Sequence, residues 1–256
     1  MKKTFKSVYI ALILLFLYAP IAVMIALSFN ASKSRAVWGG FSLTWYAQLF
    51  DSPEIMQALQ VTLTVAVLAT LVATVIGSLG AIGIHAMKTG RANALINLSY
   101  LSMTTPDIAT GVSLMLMFVF MKIPLGWGTM LMAHIAFDTP YVLFSVLPKL
   151  RQMNPSTYEA ALDLGCKPGK ALRKVILPQI MPGIVTGALL SFTMSLDDFV
   201  ISNFTSNTDQ NLSMIVYSAA RRGIEPTIYA LSTLMFLAVL VLLVVINKRS
   251  SLEDVS

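Results

Sequence analysis

Four aspartates stand in stretches of this chain that are otherwise apolar: Asp107, Asp138, Asp197 and Asp198. An ionised Asp at the centre of a membrane-spanning helix costs about 2.5–3.5 kcal/mol on insertion scales, so each needs a chemical reason to be there. No Lys or Arg lies well inside the same stretches, and Lys122 sits only at an end. Acids without built-in counterions suit a pathway for a positively charged passenger.

The four are not equivalent. On a continuous helix, Asp198 shares a face with Ser191, Ser195 and Ser202, a polar stripe suited to a water-filled pathway. Asp197 points about 100° away, beside Thr193, where it could meet a partner subunit. A structural role for both at a broken helix is the alternative. Asp107 shares a face with Thr104, Thr110 and Gly111, and Pro106 before it frees a carbonyl and kinks the helix. It could equally cap a helix end near the outer surface. Asp138 follows His134 by one turn, the spacing of an internally satisfied pair, and stands near Tyr141.

Other chemistries fit less well. Two membrane acids could share a proton in an intramembrane aspartyl protease, but those enzymes have a Gly-x-Gly-Asp context and Leu196 precedes Asp197. A single Cys166 excludes an internal disulfide framework and does not fit a zinc site. The fifteen methionines form no cluster with His or Cys and read as lipid-facing filler, so no metal site is expected.

The elements that must position these acids are membrane spans. Of the 256 residues, 56% are hydrophobic and 12% charged, against about 25% charged in a soluble domain. A span needs about 20 apolar residues. Six are expected, at 8–29, 59–86, 95–121, 126–147, 180–202 and 227–247, in a single all-α transmembrane domain over 1–256. The first stretch is longer than the apolar region of a cleaved signal, which favours an uncleaved span. With six spans, thirteen of the eighteen Lys and Arg fall on one side, including Lys2, Lys3, Lys6, Lys248 and Arg249. Lys33, Arg35, Lys122, Arg221 and Arg222 fall on the other. The richer side is the cytoplasmic one, with both termini inside. Basic residues placed this way set topology; they do not indicate nucleic acid. On the outer side, Trp38, Trp45 and Tyr46 are expected as interfacial anchors, and the polar run 206–211 as part of a loop.

One cytoplasmic connection is substantial, 148–178. Asn154 can cap a helix, Pro155 suits its first position, and Ser156 with Glu159 fits a capping box. Gly165 stands where a left-handed residue ends the helix. Lys167-Pro168-Gly169 turns the chain, a basic helix over 170–176 follows, and Pro178 is expected to stop it. Tyr158, Ala161, Leu162 and Gly165 would share one face. The plain alternative is a hairpin held at lipid headgroups by six basic residues. It is not a phosphate loop: three residues separate Gly165 from Gly169, and Ala171 stands where Ser or Thr should bind magnesium.

Glu159-Ala160-Ala161, then Gly165, Val175 and Leu177-Pro178, resembles the EAA signature of ABC importer permeases, with Val175 where that pattern most often has Ile. The resemblance extends further. Leu196-Asp197-Asp198-Phe199-Val200-Ile201-Ser202-Asn203-Phe204, Thr105-Pro106-Asp107-Ile108 and Tyr217-Ser218-Ala219-Ala220-Arg221-x-Gly223-Ile224-x-Pro226 are similar to the spermidine/putrescine importer permeases of the PotC type. The resemblance implies the type I importer permease fold. It implies that Glu159, Ala160, Ala161 and Gly165, with Leu177 and Pro178, dock this loop in a groove of a cytoplasmic ATPase dimer. That dimer, and not this chain, would bind ATP and magnesium. A second homologous permease and an extracytoplasmic binding protein would complete the machine in its lipid bilayer. Asp107, Ser195, Asp197 and Asp198 become the candidate substrate pathway, with polyamines as cargo. The same architecture could carry iron, a phosphonate or another small solute. A stand-alone channel or proton-coupled carrier would leave the docking loop without purpose.

Overall fold

The computed structural model describes residues 2–34 and 36–253. Met1 and Arg35, the latter counted above on the outer side, lie outside the described residues. Among the described residues every named element is helical: α1 (Lys2–Ser28), α2 (Thr44–Asp51), α3 (Pro53–His85), α4 (Thr89–Thr104), α5 (Asp107–Phe120), α6 (Trp127–Gln152), α7 (Pro155–Asp163), α8 (Pro168–Ala171), a π-turn (Leu172–Ile176), α9 (Leu177–Asp197), α10 (Val200–Thr205), α11 (Leu212–Arg222) and α12 (Pro226–Glu253). Four of the helical stretches are long and apolar enough to cross a bilayer: Phe5–Ser28, Pro53–His85, Trp127–Gln152 and Pro168–Asp197. The α4–α5 pair makes a fifth if its two arms count as one. Pro226–Val241 within α12 is a shorter apolar stretch.

Two of the expected spans are broken. The stretch 95–121 is no kinked helix, because α4 and α5 meet at 105°. Proline disfavours the helical region for the residue before it, and Thr105 is accordingly extended, at ψ 133°. Its N–H and hydroxyl both return to the Leu101 carbonyl, at 3.0 and 2.8 Å, which satisfies the end of α4. The stretch 180–202 ends early as well: α9 stops at Asp197, Asp198 is extended at ψ 124°, and α10 starts two residues later. At the other end Pro178 stops nothing and sits in the first turn of α9. The wider π-turn just before it carries the carbonyl that a proline ring would strike out of the way.

The chain forms two compact units, Met1–Gln57 with Ile215–Leu243 and Ala58–Met214 with Val244–Ser256. In the first, Asn30 organises the turn after α1. Its amide donates to the carbonyls of Ser34 and Val37 at 3.3 and 2.9 Å. Its Oδ1 accepts from the N–H groups of Ser32 and Gly39 at 3.1 and 2.7 Å. Trp45 is buried and donates Nε1–H to the Asn30 carbonyl at 2.6 Å, so it pins this turn and is no interfacial anchor. Tyr46 pairs with Ser28 at 2.8 Å, while Trp38 is exposed.

In the second unit α6 is the axis. Val142, Leu143, Val146, Leu147 and Leu150 of α6 form a core with Ala73, Ala81 and Ile84 of α3 and Ile180 of α9. Lipid is as apolar as leucine, so close backbone approach matters more than burial here. Glycine supplies it on both sides of Val142: a Cβ on Gly77 of α3 would lie 2.7 Å from the Val142 Cβ, and one on Gly187 of α9 3.0 Å from its Cα. Gly183 meets the Ser145 carbonyl at 2.8 Å in the same sense. The Gly183-x-x-x-Gly187 pair therefore packs within the chain.

Candidate functional site

The α9–α10 junction gathers the polar residues that periodicity strings along one helix. Ser191 and Ser195 point from α9 and Ser202 from α10, all buried. His134 of α6 stands between Ser195 and Ser202, with its side chain 1% exposed. Its Nδ1 lies 2.6 Å from Ser195 Oγ and its Nε2 2.9 Å from Ser202 Oγ. The Asp198 carboxylate lies 3.5 Å from the same Nε2. A neutral imidazole has one donor and one acceptor. The carboxylate beside Nε2 favours the proton there, leaving Nδ1 to accept from Ser195.

Asp198 serves as the cap of α10. Its Oδ1 accepts from the Ile201 N–H at 3.2 Å and its Oδ2 from the Ser202 N–H at 2.8 Å. This satisfies donors that a helix start leaves open inside an apolar region, where each would otherwise cost roughly 2–7 kcal/mol. The carbonyls at the end of α9 and at the break are met by Asn211, just before α11, and by Ser213 in its first turn. Asn211 donates to the Asp198 carbonyl and to Ser202 Oγ at 2.9 and 2.8 Å, and Ser213 donates to the Leu196 carbonyl at 3.3 Å. Farther along, the Asp209 carboxylate accepts from the Trp127 N–H at 2.7 Å, at the start of α6. The run 206–211, expected in a loop that folds partly back, thus ties the α9–α10 break to the start of α6.

Asp198 and Ser195 are therefore brought together, with the Asp198 side chain only 7% exposed. Asp197, its neighbour, is exposed and takes no part in these bonds. Asp107 is exposed in the first turn of α5, a place where the helix dipole favours an acid. Asp138 is fully buried, and among the described residues none stands at hydrogen-bonding distance of either carboxylate oxygen. The anticipated His134–Asp138 pair does not form, because His134 turns to α9 and α10. Ser191, the hydroxyl placed to interact with the Asp138 carboxylate, is directed to Thr70 Oγ1 at 3.5 Å. His134 and Asn211 are the residues that sequence reasoning missed; a histidine inside an apolar stretch, with Ser, Asp and Ser at helical spacing in the next one, was the available signal.

At the other end of α9 the hairpin is built as its local signals indicate. Asn154 Oδ1 accepts from the Ser156 N–H at 3.0 Å and Pro155 opens α7. Ser156 is therefore inside the helix, and the Ser156–Glu159 capping box does not start it. Gly165 has φ +80°. The Gly165 N–H donates to the Leu162 carbonyl at 2.8 Å and the Cys166 N–H to the Ala161 carbonyl at 3.0 Å, the paired bonds of a Schellman motif. Tyr158, Ala161 and Leu162 are half-buried, whereas Glu159, Ala160, Asp163 and Gly165 are exposed. Leu164 is 89% exposed. Leu177 is half-buried and Pro178 exposed at the hinge into α9.

Solved structures share this architecture. A bacterial ABC transporter involved in import of the acidic polysaccharide alginate superposes with a TM-score of 0.71 at 18% identity, over 96% of this chain and 92% of that one. The MetNI methionine ABC transporter, in inward-facing form, gives 0.63 at 18% identity, over 77% and 96%. The fold is that of an ABC transporter membrane subunit. The chain belongs to the family described as the binding-protein-dependent transport system inner membrane component, whose model matches residues 73–248. Its relatives include the spermidine/putrescine transport system permease protein PotC of Haemophilus influenzae, 35% identical over 96% of this chain and 97% of that protein. The putrescine transport system permease protein PotI of Escherichia coli is 39% identical, over 88% and 83%.

Proposed function

We propose that this chain is one permease of an ATP-driven polyamine importer, forming half of the translocation pathway. The observation that carries the reading is 35–39% identity, over most of the chain, to permeases named for spermidine and putrescine. Acids without counterions in the apolar stretches support a cationic cargo on independent grounds. In this reading the chain crosses the membrane six times, with both termini cytoplasmic, and α12 and the bent α4–α5 pair count as spans. A second permease and lipid cover the exposed apolar face of α1. An extracytoplasmic binding protein delivers the cargo.

ATP and magnesium bind on a cytoplasmic ATPase dimer. Glu159, Ala160, Ala161 and Gly165 dock the hairpin there, and Leu177 and Pro178 pass its movement into α9. Asp107 and Asp197, both exposed, serve the pathway directly, and Ser195 and Asp198 serve it by holding the α9–α10 junction beside it. The test is uptake of labelled spermidine and putrescine in cells lacking this chain, with and without its restoration. Restored, ATP-dependent uptake is expected. A membrane-inserted, ATPase-associated chain that restores neither would remove polyamines from the reading, and uptake independent of ATP would remove the importer.

A further inference from the structure

The break between α9 and α10 leaves two adjacent carboxylates in opposite circumstances. Asp198 is enclosed and engaged by the Ile201 and Ser202 N–H groups. Asp197 ends α9, exposed and outside that network. What holds this division is a side chain from a third helix. His134 bonds Ser195 before the break and Ser202 after it, and its Nε2 faces the Asp198 carboxylate. One rigid ring thus spans the discontinuity, with Asn211 closing the same hydroxyl from the other side. A six-residue helix such as α10 has too few internal hydrogen bonds to hold its own place. Its position is set by these bonds and by packing of Ile201 against Phe118, Ala133 and Phe137.

We propose that His134 is a positioning residue for cargo recognition: it staples α10 to α9, keeps Asp198 as a helix cap, and so leaves Asp197 as the carboxylate presented to the passenger amine. The staple stands on geometry alone; only the identity of what Asp197 meets rests on the polyamine reading. Removing the ring frees α10 from its seat and lets Asp198 leave its cap, and the orientation of Asp197 is then no longer fixed.

The experiment uses the whole importer in cells, with Cys166→Ala as background and Ile201→Cys as reporter. Ile201 is fully buried, so a thiol there is shielded from a membrane-impermeant methanethiosulfonate reagent while α10 is seated. His134→Ala is expected to raise the labelling rate about tenfold, what the loss of one net hydrogen bond gives in an opening equilibrium. With Ile201 restored, the same variant is expected to raise the KM for spermidine, as Asp197→Asn does, with Vmax less affected. Ser195→Ala with Ser202→Ala, which removes both partners of the ring and keeps the ring itself, is expected to reproduce both changes if His134→Ala does not reach the membrane. Unchanged labelling in these variants overturns the staple. Raised labelling with an unchanged KM, where Asp197→Asn raises it, overturns the positioning role. If no form takes up spermidine, the cargo reading fails, and the labelling result still decides the staple.

Discussion

Gly187 and Val142 meet backbone to backbone: a Cβ on Gly187 would lie 3.0 Å from the Val142 Cα. This contact sets the register of α9 against α6. Residues four apart on α9 face residues about four apart on α6, with Gly183 at Lys149 and Val146, Gly187 at Val142, and Ser195 bonded to His134. The small stripe and the polar junction are thus one continuous seam, glycine where helices must touch and serine where hydrogen bonds replace contact. Gly187→Leu is expected to force the helices apart, with an overpacking cost of about 1–3 kcal/mol or more. Thermal unfolding of the detergent-solubilised complex would show a lower midpoint, with Gly187→Ala intermediate; an unchanged midpoint for Gly187→Leu would disprove the contact.

Within its own chain Gly165 is constrained by backbone and not by space. Its φ is +80°, and a Cβ added there would meet no heavy atom within 4 Å. A side chain would therefore fit but would incur the left-handed penalty of roughly 1–2 kcal/mol. Asparagine tolerates that conformation better than a β-branched residue. Uptake is expected to survive largely in Gly165→Asn and to fall strongly in Gly165→Val. Equal activities would mean that the Schellman turn is dispensable.

The contrast between hairpin and junction shows which features the chain displays locally. Asn154, Pro155 and Gly165 each act on their own backbone within two or three residues, so the α7 start and end were legible. Pro178 misled because its effect depends on the π-turn before it, which no residue type announces. At the junction, helical periodicity grouped Ser195 and Ser202 with Asp198, as the structure does, but it also included Ser191, which turns to Thr70, and it presumed an unbroken helix. Once Asp198 turns extended, the stripe becomes an enclosed cap and not a wall. His134 and Asp138 have the spacing of a pair, yet the choice of partner was made by α9 and α10, far along the chain. The bend at Pro106 was foreseen in place and not in size, since 105° depends on where α5 packs against Phe204 and Ile201 of α10.

Asp138 is fully buried, and among the described residues no hydrogen-bond partner stands at bonding distance of either oxygen, nor of the hydroxyls of Thr74 and Ser78 on α3. An unsatisfied buried polar group costs about 1–3 kcal/mol, more if charged. Asp138→Leu, of the same branched shape and with no polar atom to bury, is expected to raise the thermal midpoint of the complex. Differential scanning fluorimetry on the purified complex would read this directly. A lower midpoint would show that the carboxylate has a partner in the assembled complex, such as a cation or a group from a neighbouring subunit.

The exposed side of α7 and its turn carries Glu159, Ala160, Asp163 and Leu164, while Tyr158 and Leu162 are half-buried against their own chain. The two sides should therefore fail differently. Glu159→Lys is expected to abolish uptake with membrane insertion intact, because it reverses charge on the exposed side, the one proposed to meet the ATPase. Leu164, an apolar side chain almost wholly exposed, has the character of an interface anchor, and such anchors cost about 2 kcal/mol or more when removed, roughly thirtyfold in affinity. Leu164→Asp should accordingly lower co-purification of the ATPase. Leu162→Asp should instead unseat the hairpin and show as increased proteolysis of 153–168 in membranes without the ATPase. If Leu164→Asp retained the ATPase and Leu162→Asp left proteolysis unchanged, the assignment of the two sides would be overturned.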